Sequence, residues 1–241
     1  MGICRLPRQI VVPSSGPTPG KTLDEYTWEE IDYISSNGLA SEYGFQVGDE
    51  KNITLSTDEA LTLAIMGFDH DELADGTGYA GITFGMRNLM ATTRAMASSN
   101  TNEGGFTGSD MYTWLTGTLI PALPSDLQAV IKMVNKKTSV GSYSSTIGTN
   151  AMKVFLFSEI EIFGSITYSA AGEGTQYSYF ATSVNRIKYL SNGSGSMNVW
   201  WGRSPIIDNS TPYAYCGVNN YGNPMQGFAA NKRGVAFAFC V

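Results

Sequence analysis

The sequence predicts an α+β domain, because its helices and strands are grouped along the chain rather than alternating. A capped amphipathic helix stands near the start of the 241 residues. Alternating apolar and polar residues follow from Phe45 to Ile65, and short strand and turn patterns fill the chain after Tyr177. No repeat of about 20 to 50 residues occurs, so neither a solenoid nor a propeller is predicted.

The helices are predicted from their ends. Thr27 and Glu30 form a capping box for a helix between Tyr26 and Asn37, and Gly38 supplies a left-handed stop. Serines are predicted to cap the later short helices, and they are Ser109, Ser125 and Ser158, the last with Glu161.

The strands are predicted from period-two alternation. The pattern up to Ile65 gives strands joined by a hairpin around Ser56 to Glu59, and Ile82 to Met86 gives another strand. The last part of the chain has three strand candidates: Val199 to Trp201, Tyr213 to Val218 and Val235 to Val241.

Composition restricts the function classes. Charged residues make up 15% of the chain, against roughly 25% in typical domains, and the formal net charge is −6. We therefore expect no general nucleic-acid binding, which needs clustered Lys and Arg. The polarity comes from Gly, Ser, Thr, Asn and Tyr instead, as in extracellular binding proteins. No apolar run of about 18 residues exists, so no membrane insertion is expected, and no secretory signal is predicted.

The first 25 residues are predicted to form an extended arm outside the main domain. This segment is basic at its start, and prolines at 13, 17 and 19 interrupt regular structure. A short strand from the arm could add to the sheet edge of a partner. We therefore expect a homo-oligomer, with a trimer as one fitting state. The predicted docking residues are Arg5, Arg8, Ile10, Val11 and Val12.

A polar segment between the last apolar strands is the predicted ligand-binding face. Tyr offers large contact area at low entropy cost, and Asn offers adaptable hydrogen bonds. The alternative is an ordinary solvated hairpin, in which alternating residues also face inward. The predicted binding residues are Asn209, Tyr213, Tyr215, Asn219, Asn220, Tyr221, Asn223 and Gln226.

An acidic loop is the only predicted metal site. Asp69, Asp71 and Asp75 lie close together in sequence and could hold a structural Ca²⁺, although a structural turn with Asx-type bonds is the favoured interpretation. No other cofactor is expected. The single histidine, His70, is interpreted as a hydrogen-bonded loop residue rather than a catalytic one.

An aromatic group near the C-terminal end is interpreted as core rather than as a ligand pocket. Arg203 within it is expected to be held by buried carbonyls or by a carboxylate. Two buried free thiols, Cys216 and Cys240, are favoured over a disulfide between them. The aromatic members of the group are Trp200, Trp201, Phe237 and Phe239.

A series of short motifs occurs in a fixed order along the chain: Trp28-x-x-Ile31, Phe45-Gln-Val-Gly-Asp-Glu-Lys51, Gly67-Phe-Asp-His-Asp-Glu-Leu73, Gly81-Ile-Thr-Phe84, Gly104-Gly-Phe106, Trp114-Leu115, Leu123-Pro-Ser-Asp-Leu127, Ser158-Glu159, Trp200-Trp-Gly-Arg-Ser-Pro205 and Arg233-Gly-Val235. From Tyr26 to Val241 this series resembles the DUF6273 domains of Firmicutes and their phages and prophages. Ala236 departs from the pattern, since a Pro is usual there.

The resemblance implies a C-type-lectin-like fold over residues 26–241, similar to formylglycine-generating enzymes and to phage tropism proteins. It implies a bacteriophage virion protein, placed on the particle surface as a capsid decoration, head fibre or tail-associated adhesin. The expected partners are other capsid or tail proteins and a host surface glycan or protein. A purely structural capsid-cementing subunit is the alternative. An enzyme is not expected, because the cysteine pair of the formylglycine-generating enzymes is absent.

Overall fold

A computed structural model describes residues 16–208 and 213–241 of the chain. The predicted docking residues Arg5, Arg8 and Ile10 to Val12 lie outside the described residues, and so does Asn209.

The described residues form a five-stranded antiparallel sheet at the centre of the molecule, in the order β1-β2-β3-β10-β6. Its strands are β1 (Glu50–Thr54), β2 (Ala60–Glu72), β3 (Tyr79–Met86), β6 (Val154–Leu156) and β10 (Phe237–Cys240). The predicted hairpin before β2 and the strand at Ile82 to Met86 are confirmed, since Thr54 pairs with Ala60 and β3 pairs with β2. Phe45 and Val47 precede β1, so the strand pattern began later than predicted.

Helix α1 (Trp28–Ser36) packs on this sheet through its apolar side. Its capping box is confirmed, because Thr27 accepts from the backbone N–H of Glu30 and Glu30 accepts from that of Thr27. The helix ends at Ser36, and Gly38 just after it has a φ of +67°, which is the predicted left-handed stop. Trp28 meets Phe84 edge-on, with ring centroids 5.2 Å apart, which joins the helix to the sheet.

The remaining helices are short: α2 (Asp110–Trp114), α3 (Ile120–Ala122), α4 (Ser125–Val130) and α5 (Glu159–Phe163). Ser109 and Ser158 cap α2 and α5 as predicted. The prediction for Ser125 is wrong: Pro124 holds the cap position of α4 and Ser125 is its first helical residue. The Gln128 side chain instead donates to the carbonyl of Leu123, just before the helix.

Two smaller antiparallel sheets flank the central one. One is the hairpin of β4 (Val134–Ser139) and β5 (Ile147–Met152). The other contains β7 (Trp200–Pro205), β8 (Ala214–Val218) and β9 (Pro224–Phe228) in that order. The late strands β7, β8 and β10 match their predictions, whereas β4, β5, β6 and β9 were not predicted.

The α+β class is confirmed, with few helices and antiparallel sheets. The C-type-lectin-like detail stays a prediction. Within the described ranges, no helix is long and apolar enough to cross a membrane.

Candidate functional site

A buried ionic network lies beneath the central sheet and begins at Asp71. The Asp71 carboxylate accepts from the Lys136 ammonium at 2.5 Å and from the Tyr177 hydroxyl at 2.6 Å. Thr83, on the neighbouring strand β3, donates to the same carboxylate at 2.8 Å. The partners come from β2, β3, β4 and the segment after α5, so the network joins elements that are far apart in sequence.

The network continues from Lys136 to Glu161 and Arg203. The Lys136 ammonium lies 2.7 Å from Glu161 Oε1, and both Nη atoms of Arg203 donate to the Glu161 carboxylate. Arg203 also donates to the carbonyls of Leu156 and Lys137. The expectation that carbonyls or a carboxylate hold Arg203 is confirmed. Two cations alternate with two anions, so their charges balance inside the protein.

Opposite charges set the pKa values of the two acids. Burial would raise the pKa of Asp71, but the charge of Lys136 and the bonds from Lys136 and Tyr177 outweigh it, and that pKa lies well below its usual range. Burial would likewise raise the pKa of Glu161, yet Arg203 and Lys136 hold it below the ordinary value. Both acids are therefore ionised at neutral pH and serve as fixed counterions.

Two further buried carboxyls, Glu173 and Glu159, border the network. Glu173 accepts from the backbone N–H of Ser139 and from the Ser204 hydroxyl, while its burial raises its pKa. Glu159 accepts from the N–H and the hydroxyl of Ser169. Glu159, Glu161 and Glu173 are each at most 1% exposed. All three carboxyls are therefore held by internal donors, and Glu161 and Glu173 also line the base of the cleft described next.

A cleft of about 240 Å³ opens above the network, and His70 stands in its wall. The His70 ring stacks on Tyr177 with centroids 3.8 Å apart, and its Nε2 lies 3.1 Å from the Thr175 carbonyl. Its Nδ1 is 3.6 Å from Asp71, beyond hydrogen-bond distance. His70 is thus hydrogen-bonded as expected, but it lies within β2 rather than in a loop.

The predicted calcium loop is not assembled. Asp71 turns inward to Lys136, and Asp75 accepts from the N–H and the hydroxyl of Thr77, which is the Asx-type turn. Asp69 lies within β2 at a positive φ of 48°. Across residues 16–208 and 213–241, no three His, Cys, Asp or Glu side chains are grouped so as to hold a metal ion. Asp69 and Asp71 would share a face of a regular strand, but the β2–β3 register shifts between Phe68 and Asp71, and Asp75 lies beyond the end of β2.

The predicted binding face is divided by the β8–β9 hairpin. Tyr215 does not lie on the exposed face as predicted: it is 1% exposed, and its hydroxyl donates to the carbonyl of Gly105. Tyr213 and Tyr221 are exposed, but they lie at opposite ends of β8, whose five residues span roughly 16 Å. We call the exposed group at the start of β8 the base patch, formed by Tyr213, Phe228 and the nearby Tyr143.

The opposite end of the hairpin forms the tip patch, which consists of Tyr221 and Val184. Tyr221 is 78% exposed and Val184 is 63% exposed. The side chain of Asn219 stabilises the turn, since its oxygen accepts from the backbone N–H groups of Tyr221 and Asn223. Gly222 has a φ of +77°, and a Cβ there would lie 3.1 Å from the Ser183 carbonyl, so only glycine fits. Asn220 and Asn223 are exposed beside Tyr221, and Gln226 is half-buried on β9.

The model of a family described as a domain of unknown function, DUF6273, matches residues 80–241. The chain belongs to this family. The resemblance predicted from Tyr26 onward is thereby shown for the family itself, with the match beginning in β3. Comparison with curated proteins and with solved structures returned no match.

The most conspicuous motif of this DUF6273 domain, Trp200-Trp-Gly-Arg-Ser-Pro205, is core as predicted. Trp200, Trp201 and Arg203 are fully buried, as are Phe237 and Phe239. Cys216 and Cys240 are buried free thiols, which matches the favoured interpretation. Burial raises the pKa of both thiols well above the usual value, so neither is a reactive thiolate at neutral pH.

Part of the predicted arm lies against the main body of the protein, in the region before the DUF6273 match. Leu23 is 4% exposed, and the Tyr43 hydroxyl donates to the carbonyl of Pro17 at 2.7 Å. Lys21 pairs with Glu30 of α1 at 2.6 Å. The boundary between residues 25 and 26 stays a prediction, and residues 16–25 contact the domain.

Several residues of the network and surface were not predicted as site residues. Lys136 and Tyr177 were missed because nothing in their local sequence marks them as partners of Asp71. Arg94 and Trp114 were also missed, although Trp114-Leu115 is one of the family motifs. The one usable indication was the excess of acids near His70, since buried carboxylates need cations.

Proposed function

We propose that the protein is a bacteriophage virion protein that carries its DUF6273 domain on the particle surface and binds a host surface glycan or protein. The virion part rests on the resemblance to domains of Firmicutes and their phages. The lectin-like fold and the surface location, whether capsid decoration, head fibre or tail-associated adhesin, belong to the same proposal. In this proposal the residues of the N-terminal arm bind the capsid or tail proteins.

One observation carries the binding part: Tyr221 is 78% exposed on a turn whose backbone is fixed by Asn219 and Gly222. An exposed aromatic side chain on a rigid turn loses little entropy when it contacts a ligand. The charged groups of the buried ionic network neutralise one another, so they stabilise the fold and do not contact a ligand in this proposal. Many copies on one particle convert weak contacts into strong attachment.

Cell binding tests the proposal. We would label the purified protein and measure its binding to cells of the bacterium that the source phage infects. We expect the double variant Tyr213→Ser with Tyr221→Ser to lose about tenfold or more in apparent affinity, as hot-spot aromatics do. Tyr79→Ser is the matched control, because Tyr79 is 62% exposed on the central sheet, away from the hairpin.

Two results separate the alternatives. If wild-type protein binds no cells but is found on purified particles by immunogold labelling, the cementing subunit without a receptor is favoured. If the protein is absent from particles and binds no cells, the proposed function is wrong.

A further inference from the structure

A second cleft, of about 340 Å³, lies beside α2 and is lined by Thr92, Thr93, Arg94, Trp114 and Lys232. It is separate from the cleft at His70 and contains neither the base patch nor the tip patch. None of its residues was predicted to bind a ligand.

The backbone of Arg94 is fixed from two sides. It pairs with Arg233, with N–H to O distances of 2.8 and 2.9 Å. The carbonyl of Arg94 also accepts from the indole Nε1 of the buried Trp201 at 2.9 Å. A hydrogen bond therefore joins the wall of the cleft to the family's Trp-Trp-Gly-Arg motif, and the backbone of Arg94 is held rigidly.

The side chain of Arg94 is stacked but not paired. Its guanidinium carbon lies 4.0 Å from the centre of the Trp114 ring, which leaves the N–H edge of the guanidinium free to donate. Neither Arg94 nor the exposed Lys232 forms an ion pair with any residue in the part of the chain that the structure describes. The one carboxylate in the wall, Asp110, is bound to the Ser98 N–H at 2.6 Å.

The indole of Trp114 adds an unsatisfied polar group beside the cleft. Among the described residues its buried Nε1 has no hydrogen-bond partner, unlike the indoles of Trp200 and Trp201, which donate to carbonyls. A buried donor without an acceptor is unfavourable, so a ligand oxygen that reached this N–H would recover that free energy.

We propose that this cleft binds an anionic sugar, whose carboxylate or phosphate is held by Arg94 and Lys232. Two unpaired cations in a protein of net charge −6 select an anion. The hydroxyls of Thr92 and Thr93, which line the cleft, provide neutral hydrogen-bonding groups for sugar hydroxyls. The volume lies near the lower end of the range for small-molecule sites, about 300–1,000 Å³, which fits one or two sugar units.

The choice of a carbohydrate rests on the proposed function, while the choice of an anion rests on the cleft alone. The two chemical sources, a sugar acid and a phosphate-bearing wall polymer, share the same anionic oxygens. Separate probes distinguish them in the experiment below.

Nuclear magnetic resonance of ¹⁵N-labelled protein tests the site. The probes are glucuronate, glycerol 3-phosphate and glucose, each titrated to about 20 mM because weak single-site contacts are expected. We expect one of the acids to shift the Trp114 indole resonance, assigned with Trp114→Phe, while glucose does not. The responding acid identifies the source of the anion.

Variants then locate the anion. Arg94→Gln should weaken binding of the responding acid by about tenfold or more, and Lys232→Gln by roughly threefold, because each removes a charge-assisted contact. Lys153→Gln, at another exposed lysine, should leave binding unchanged. An unchanged Trp201 indole resonance shows that Arg94→Gln still folds around its backbone contact.

Some results would overturn the inference. These are no Trp114 shift with either acid, an equal shift with glucose, or undiminished binding by Arg94→Gln. The proposed function fails separately: a protein that binds glucuronate at Trp114 but no cells keeps this site and loses the receptor role. Cells bound equally by Arg94→Gln and wild type, but not by the double variant Tyr213→Ser with Tyr221→Ser, would keep the receptor role and show that the cleft takes no part in it.

Discussion

The ionic network and the Arg94 cleft differ in whether their positive charges form ion pairs. Lys136 and Arg203 are fully buried, and carboxylates at hydrogen-bond distance neutralise both. Arg94 is half-buried, is fixed just as firmly through its backbone, and forms no ion pair among the described residues, although the charge of Glu59 reaches it from a greater distance. A paired buried cation mainly holds elements together, whereas an unpaired and rigid surface cation is available to a ligand.

Breaking the network should give the largest effect on stability. Lys136→Met leaves Asp71 and Glu161 buried without their shared cation, so we expect a loss of about 3–5 kcal/mol in the free energy of unfolding. Urea denaturation measures it. The control is Lys153→Met at an exposed lysine, where a change within about 0.5 kcal/mol is expected. A loss below about 1 kcal/mol from Lys136→Met would show that the network does not hold these elements together.

Lys188 sharpens the comparison, because it is buried like Lys136 but has no carboxylate partner among the described residues. It donates to the carbonyls of Met86 and Arg87 at 2.6 and 3.1 Å. Burial, and then the nearby charge of Arg87, lowers its pKa from 10.5 to about 7. The unfolded chain keeps this proton up to pH 10.5, so above pH 7 the unfolded state binds more protons and stability rises with pH.

We expect the free energy of unfolding to rise by about 1 kcal/mol per pH unit between roughly pH 7 and pH 8.5. Urea denaturation across that window measures the slope, and Lys188→Met should remove it. The raised pKa values of Cys216 and Cys240 oppose the trend only near and above pH 9.0, where an unfolded thiol ionises. A slope that survives in Lys188→Met would assign the effect to another group.

The smallest expected effect on stability is at the Arg94 cleft. Arg94→Gln removes one partly exposed stacking contact, so we expect a loss within about 1 kcal/mol. The same denaturation experiment measures it, beside the paired surface residue Arg87 changed to Gln. A loss as large as that of Lys136→Met would make Arg94 a structural residue and remove the contrast between the two regions.

Local features of the fold were predictable from sequence, and contacts between distant segments were not. The cap and stop of α1 depend on residues within one helix, so Thr27, Glu30 and Gly38 identified them correctly. Strand β9 was missed because it begins with Pro224 and lies at a sheet edge, where alternation is weak.

The candidate sites were predicted less completely for the same reason. Tyr213 and Tyr215 lie two residues apart, but every residue of β8 from Ala214 onward is buried, so Tyr215 belongs to the core while Tyr213 is exposed. Asp71 meets Lys136 and Tyr177 across 65 and 106 positions of sequence separation. Which residues are buried, and which distant residues they bond to, depends on the topology of the fold, and a single sequence does not reveal that topology.

The position of β10 between β3 and β6 in the main sheet also affects how the chain folds during its synthesis. β3 is complete at Met86, yet its partner on that side begins only at Phe237. At about 5–20 residues per second, the roughly 150 residues between them keep the edge of β3 unpaired on the ribosome for about 8–30 s. An unpaired apolar strand edge promotes aggregation. A translation pause or a nonsense mutation before Phe237 would therefore yield an aggregation-prone nascent chain rather than a shortened working domain.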